Sequence, residues 1–368
     1  MKNILHYFSK IQDNRKNQGK RYKLNSILAL ITLGYMHGCK SLAAISRFGK
    51  KLTRSKKKRL GFTSESTPSH PTITEIIKNI DITALQKILG RVTTIQMKPD
   101  FTQIAIDGKS IRSTHESALG LLHLLSAYAT EECGVLAQVK SGLAGGEIIA
   151  ASKVLSEIDL KDKVVTGDAM FAQESLCTQI TKAEGNYLFK VKKNKKRIVN
   201  DIDQEFYYHN GQNLPILSFE AEATKGHGRI DLRCIEVIEV RDKYFGGLDT
   251  IKQIARITRK VFNTKTREEK SELHYIMTSL TSKNASPEDL LKFTTNHWQI
   301  ENKLHRTRDT IFMEDASNII SHTSHQNNAA MRNLAIFLLN KISTSISDAI
   351  EKVTSNISLA LALLFRRI

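Results

Sequence analysis

The pattern of apolar and polar positions divides the chain into three textures. Over residues 1–95 it is helical. Ile27, Leu28, Leu30, Ile31 and Leu33 form one run that Gly38 breaks, and Leu42, Ile45, Phe48 and Leu52 form a second. A third helix follows the Thr67-Pro68-Ser69-His70-Pro71 turn. Thr72 and Glu75 offer it a capping-box spacing, and Ile73, Ile76, Ile77 and Ile80 line one face.

From Phe101 the period changes to two. Phe101 to Asp107 reads as a strand that Gly108 releases, with Asp107 emerging at its end. Leu121–Tyr128 and Val135–Val139 outline a hairpin around Glu131-Glu132-Cys133-Gly134. A helix over 147–158, a strand at 164–166 ending in Gly167-Asp168, a helix over 173–184 and a strand at 186–191 complete a ribonuclease-H-like order. That order implies an α/β fold, a mixed sheet with helices on both faces.

The third texture lies within 201–280, where Phe219–Thr224 pairs with Arg229–Val240, and Ile251–Phe262 with Leu273–Leu280, as a β-rich insertion. Ser286-Pro287-Glu288-Asp289 then opens a long helix with a cap, a first-turn proline and first-turn acids. The expected organisation is an N-terminal helical, basic, DNA-binding domain (1–95), a first catalytic part (96–200), the β-rich insertion (201–280) and a second catalytic part with C-terminal helices (281–368).

Charge sharpens this picture. The chain has 368 residues and a net charge of +18, of which residues 1–59 carry +15 with Asp13 as their one acid. Such a front end suits a polyanion, nucleic acid first among them. Short helices around a Gly break with a basic surface fit a helix-turn-helix-like DNA module, or equally a plain bundle with a solvated face. The apolar runs at 27–36 and 357–365 are too short to span a membrane, and no secretory pattern opens the chain. The four cysteines form no CxxC pair, which argues against a disulfide framework and a structural zinc site and suits a reducing cytoplasm. His322 and His325 have a ligand-like spacing that no neighbouring Cys or carboxylate pattern supports.

Three carboxylates stand out. On the helix after Ser286, an ideal α-helical wheel aligns His297, Trp298, Glu301, Leu304, His305 and Arg308, with Trp298 and Leu304 as core anchors. Glu301 on that face either pairs with Arg308 or a histidine, or meets Asp107 and Asp168 around divalent cations. Acids of this kind suit two Mg²⁺ or Mn²⁺ ions and in-line phosphoryl displacement. Asp309, Glu314 and Asp315 compete for the third position, and the wheel puts Asp309 roughly 80° off the Glu301 face. Lys109 and Arg112 could hold a phosphate. Lys192, Lys193, Lys195, Lys196 and Arg197, and the run Lys56, Lys57, Lys58 and Arg59, could follow a DNA backbone or be solvated.

The chain resembles the DDE insertion-sequence transposases, H-repeat-associated branch, through Asp13-Asn14-Arg15, Ile106-Asp107-Gly108-Lys109, Gly167-Asp168-Ala169-Met170, Lys225-Gly226-His227-Gly228-Arg229 and, above all, the block His297-Trp298-Gln299-Ile300-Glu301-Asn302-Lys303-Leu304-His305. The resemblance implies that Asp107, Asp168 and Glu301 are the catalytic and metal-holding triad. It implies DNA contacts that include His297 and Arg308, and a homodimer pairing two DNA ends in a bacterial cytoplasm, at the nucleoid. The activity implied is metal-dependent cleavage at the element's terminal inverted repeats and transfer of the 3′-OH into target DNA. Arg306, Thr295 and Lys195 depart from the family's usual residues, and none of them removes a carboxylate. A nuclease using the same acids, and a silent DNA-binding regulator, are the alternatives.

Overall fold

The computed structural model describes residues 3–366 apart from 17–19, 116–118, 143–145, 193–194, 227, 241–244, 246, 318 and 320. In chain order the elements begin with six helices: α1 (Ile4–Phe8), α2 (Leu24–Met36), α3 (Leu42–Lys51), α4 (Arg54–Arg59), α5 (His70–Asn79) and α6 (Ile82–Gln96). Then come β1 (Gln103–Ile111), β2 (Leu122–Ala129), β3 (Gly134–Ser141), α7 (Gly146–Ser156), β4 (Val164–Gly167), α8 (Glu174–Lys182), β5 (Asn186–Val191) and α9 (Lys196–Gly211). The strands β6 (Leu217–Glu220), β7 (Thr224–Gly226), β8 (Arg229–Glu239), β9 (Gln253–Asn263) and β10 (Glu269–Thr278) lead to α10 (Pro287–Asn296). The chain ends with α11 (Arg306–Thr310), α12 (His322–Asn340), α13 (Ile346–Ser355) and α14 (Ile357–Leu364). No helix among the described residues is long and apolar enough to cross a membrane.

Two compact units account for the chain. One holds Met1–Phe101, Asp107–Ile158 and Gln299–Ile368; the other holds Thr102–Ile106 and Asp159–Trp298. In the first, α12 is buried along almost its whole length and packs on α2, α5, α6 and β3. Two of its asparagines bond to the helices around it. Asn327 Nδ2 donates to the carbonyls of Ile77 and Ile80, closing the C-terminal end of α5, and Asn328 Oδ1 accepts from the Tyr35 hydroxyl at 2.7 Å. A Cβ at Gly90 would collide with the Leu136 carbonyl, so glycine is what lets α6 lie this close to β3.

The strand order in this unit is β3-β2-β1, with β2 and β3 an antiparallel hairpin turning at Cys133 (φ 56°). In the second unit it is β1-β4-β5-β10-β9-β8-β6, with β7 on β8. Here β4 runs parallel to both β1 and β5, and β10 turns antiparallel to β5. These pairings, 3-2-1 and 1-4-5, are the ribonuclease-H-like order, a mixed sheet with helices on both faces. Leu290 and Leu291 of α10 pack into a cluster with Val164, Leu188, Ile235, Ile257 and Ile276.

Four local expectations change. Strand β1 does not stop at Asp107 but continues to Ile111. Helix α5 starts at His70, with Ser69 at its N-cap, because Pro71 fits the first turn of a helix, where its missing N–H is not needed. Thr72 is therefore inside the helix, and Glu75 accepts from Asn79 rather than closing a capping box. Residues 196–211, expected as loop and sheet, form α9, whose Ile198, Ile202 and Phe206 repeat every four residues on a buried face. The fourth change concerns the helix after α10, where the site lies. The capping box of α10 does form, with Ser286 and Asp289 bonded reciprocally.

Candidate active site

Beyond α10 the chain does not continue as an ideal α-helix. Ile300–His305 is a π-helix, and α11 resumes at Arg306. A π turn fits an extra residue into the helix, so the periodicity assumed from sequence loses phase across it. Burial departs from the expected face on both sides of this turn. Trp298, expected in the core, is 46% exposed, whereas Leu304 is buried as expected. Glu301 is exposed, and Arg308 is fully buried.

In the first unit, the Oδ2 of Asp107 lies 3.3 Å from Nε2 of His305, off the line of a hydrogen bond. Burial lowers the pKa of that imidazole, against the opposing pull of Asp107, so it is neutral at pH 7. Gly108 follows Asp107, and a Cβ there would stand 2.9 Å from Glu147 Oε1. Lys109 Nζ is buried and bonds Asp309 Oδ2 at 2.6 Å. Arg112 is open, with its backbone N–H donating to Asp315 Oδ1 at 3.0 Å.

Arg308 Nε donates to Glu314 Oε2 at 2.9 Å, with a terminal guanidinium nitrogen 2.6 Å from the same oxygen, and Arg332 holds the other oxygen at 2.9 Å. This ion triplet is inaccessible to water, and Asn333 and Arg308 join it to Gln138. Arg308 therefore braces the core and cannot meet DNA, contrary to the expectation from sequence. Burial raises the Glu314 pKa, but the two guanidinium groups outweigh it and take it down to about 2. Neither Glu314 nor Arg332 was singled out for this role by the sequence. The signal available was weak: an acid and a basic residue inside otherwise apolar or neutral stretches.

In the second unit, Asp168 follows β4 and precedes a short 3₁₀ turn at Ala169–Phe171, with no capping bond from its side chain. Lys190 Nζ lies 3.6 Å from its Oδ1 and Lys192 Nζ 3.2 Å from its Oδ2. Burial pushes this carboxyl up, and the two lysines outweigh that and hold it below the ordinary carboxylate range. Lys190 was not read as a site residue. Its signal was a lysine inside the apolar strand 186–191, and its Nζ also stands 4.2 Å over the Trp298 ring. His297, expected at DNA, is buried and bonds Thr166 Oγ1 through Nδ1 at 3.1 Å, tying the end of α10 to β4. Lys195 donates to Gln173 Oε1, and Lys196 and Arg197 are exposed at the start of α9. Lys193 lies outside the described residues.

In the basic run of α4, Lys58 and Arg59 are exposed and Lys56 half-buried. Lys57 is different, because its ammonium is folded inward onto the carbonyls of Lys50 and Glu65 at 3.1 and 2.8 Å. It is a structural donor, not a phosphate contact. His322 and His325 are likewise consumed locally, by the Gly120 and Ile319 carbonyls.

No group of three or more His, Cys, Asp and Glu side chains among the described residues is disposed to hold a metal ion. The donor chemistry nevertheless suits one. Asp168 is an ionised oxygen donor whose charge is balanced by two ammonium groups, the compensation a hard divalent cation would provide instead.

Comparison with known proteins gives this arrangement its class. Residues 98–338 match the model of the Transposase DDE domain, and residues 5–92 match that of the DDE_Tnp_1-associated region. The chain belongs to the DDE transposase family. YbfL of Escherichia coli K12 is 28% identical over 92% of this chain and 90% of its own, and YhhI, an H repeat-associated protein of the same strain, is 27% identical over the same shares. A solved piggyBac transposase synaptic complex with hairpin DNA aligns with 98% of this chain and 78% of its own at 11% identity and a TM-score of 0.45.

Proposed function

We propose that this transposase cuts DNA at the ends of an insertion sequence and joins the freed 3′-OH to target DNA, using Asp107, Asp168 and Glu301. The observation that carries the reading is a strand register. β1 and β4 pair in parallel at Gln103↔Val164, Ile104↔Val165 and Ala105↔Thr166, a constant step of 61 positions, and Asp107 and Asp168 are separated by the same 61. Each acid follows the last paired position of its own strand by two residues. Glu301 is assigned as the third acid from the resemblance of the block His297–His305 around it to the family's, and it lies exposed on a π turn, a distortion common at functional sites.

Divalent cations held by these oxygens, Mg²⁺ or Mn²⁺ and two in number, would supply stabilisation of the attacking and leaving oxygens of an in-line displacement. The chain's own groups do the rest. Lys190 and Lys192 keep Asp168 ionised and oriented, the buried neutral imidazole of His305 backs Asp107, and Glu301 orients the attacking water. Water oxygen bonds to phosphorus, and the 3′-oxygen leaves and takes a proton. That 3′-OH then attacks a target phosphodiester, so one P–O bond forms for each one broken. We assign the work to a homodimer that pairs the two ends.

End-labelled duplex DNA tests the metal requirement. Cleavage is expected with Mg²⁺ or Mn²⁺, and binding with little chemistry in Ca²⁺, whose looser and higher coordination suits in-line transfer poorly. Full cleavage in excess chelator would overturn the mechanism.

Residues 1–95 are assigned the main affinity for DNA ends. Log K should fall linearly with log salt concentration, and neutralising Lys58 and Arg59 should flatten the slope by about 2, at roughly 0.9 per phosphate released. Lys57→Gln should lower stability and leave the slope alone. An unchanged slope in the Lys58/Arg59 double variant would make that face a solvated one.

A further inference from the structure

The N-terminal helices enclose a cavity that no catalytic residue uses. Its volume is about 850 Å³, within the range of about 300–1,000 Å³ usual for small-ligand sites. Leu24, Ile76 and Ile80, all buried, supply an apolar floor. Tyr22 forms a wall, its ring backed edge-on by Phe62 and its hydroxyl fixed by Ser66 at 2.8 Å. Arg21 reaches the same Ser66 at 3.1 Å, with its guanidinium 5.4 Å from the Tyr22 ring centroid, and Lys16, exposed, is also on the lining. Asn14, also on the lining, presents a donor and an acceptor on one planar amide, whereas the amide nitrogen of Asn79 donates to Glu75, whose carboxylate lines the cavity too.

The cavity thus offers cations for an anion, a ring to stack on and an apolar bed, with the Asn14 carboxamide to meet a heterocycle edge. Arg15, although it lines the cavity, is consumed by Asp13 and the Tyr22 carbonyl at 2.7 and 2.8 Å. The cations left to meet a phosphate are therefore Lys16 and Arg21. Aromatic stacking beside a cation is how proteins take single nucleotides out of a strand.

We infer that the cavity binds one nucleoside 5′-phosphate unit, its base against Tyr22 and the apolar floor and its phosphate at Arg21 and Lys16. Two sources share that chemistry: a nucleotide turned out of the DNA strand, and a free nucleotide. The inference extends the DNA reading above but depends on none of the carboxylates, so either can fail while the other stands.

The experiment uses the full chain in excess chelator, where no cleavage competes. Two fluorescent probes are titrated: 2-aminopurine deoxyribonucleoside 5′-monophosphate, and a duplex carrying a single unpaired 2-aminopurine. Saturable binding is expected for at least one. Arg21→Ala should weaken it about tenfold, as loss of a charge-assisted contact does, and Asn79→Trp should fill the cavity and abolish it. Lys98→Ala, exposed and away from the cavity, should change nothing. Arg21 is a surface residue, so that variant decides the matter even if Asn79→Trp misfolds. Binding of the duplex alone identifies the everted nucleotide, and equal binding of the monophosphate identifies a free one. Binding of neither probe, or Arg21→Ala binding like Lys98→Ala, overturns the assignment.

Discussion

Asp168→Asn should yield a folded protein that binds DNA ends and cuts none of them. The amide keeps the shape of the carboxylate and removes the charge that Lys190 and Lys192 now balance. Both the carboxylate and Lys192 are substantially exposed, so solvent screens that pairing and its loss should cost little stability. Chemistry is different, because ligands that share ions act as a unit and removing any one disables the set. Asp107→Asn and Glu301→Gln should therefore lose cleavage to a similar extent, roughly 10³-fold or more. Asp309→Asn supplies the contrast. It breaks the pair with the buried Lys109 and should act mainly on stability. Single-turnover cleavage, with end binding and thermal unfolding measured on each variant, separates these cases. If Glu301→Gln cuts like the parent while Asp309→Asn is dead, the third acid has been misassigned.

The largest effect on stability is expected at Glu314. It is fully buried between Arg308 and Arg332, and Glu314→Gln would leave two guanidinium groups in the interior without their counter-charge. Breaking one partner out of a buried ion cluster typically costs about 3–5 kcal/mol. The pH dependence follows from the depressed pKa. The folded value of about 2 lies below the ordinary 4.5, so this stabilisation is complete above pH 4.5 and is lost as pH falls from there towards 2. A drop of that size corresponds to about 3 kcal/mol. Equilibrium urea unfolding of parent and variant at pH 7 and at steps down to pH 3 provides the check. The gap between them should be wide at neutral pH and narrow steadily in acid. A gap below about 1 kcal/mol at pH 7 would mean that the triplet contributes no net stability.

Elements whose local signals agreed with their surroundings were legible in the sequence. The β2–β3 hairpin, the short strands β4 and β5 and the capped start of α10 all carry period, turn residue and cap in the same few positions. What escaped depended on partners distant in the chain. Nothing local marks Lys57 as an inward donor to Lys50 and Glu65, or Arg308 as the mate of Glu314 and Arg332. Both read as surface cations until packing reverses them. Lys190 is a related case, since its meaning comes from the β4–β5 register, where Gly167 pairs with Phe189 and so sets the next lysine beside Asp168. The β1 boundary was misjudged for another reason. Gly108 is a plausible strand breaker in isolation, yet here it serves a close approach to Glu147 and the strand passes through it.

The π turn at Ile300–His305 has a bearing on how this chain should be compared and re-engineered. Any scheme that threads residues 287–310 through one uniform helix will be a residue out of step beyond the turn, and at 100° per residue that is more than a quarter of a revolution. Substitutions picked from such a scheme would put charge into the packed side and grease onto the wet one.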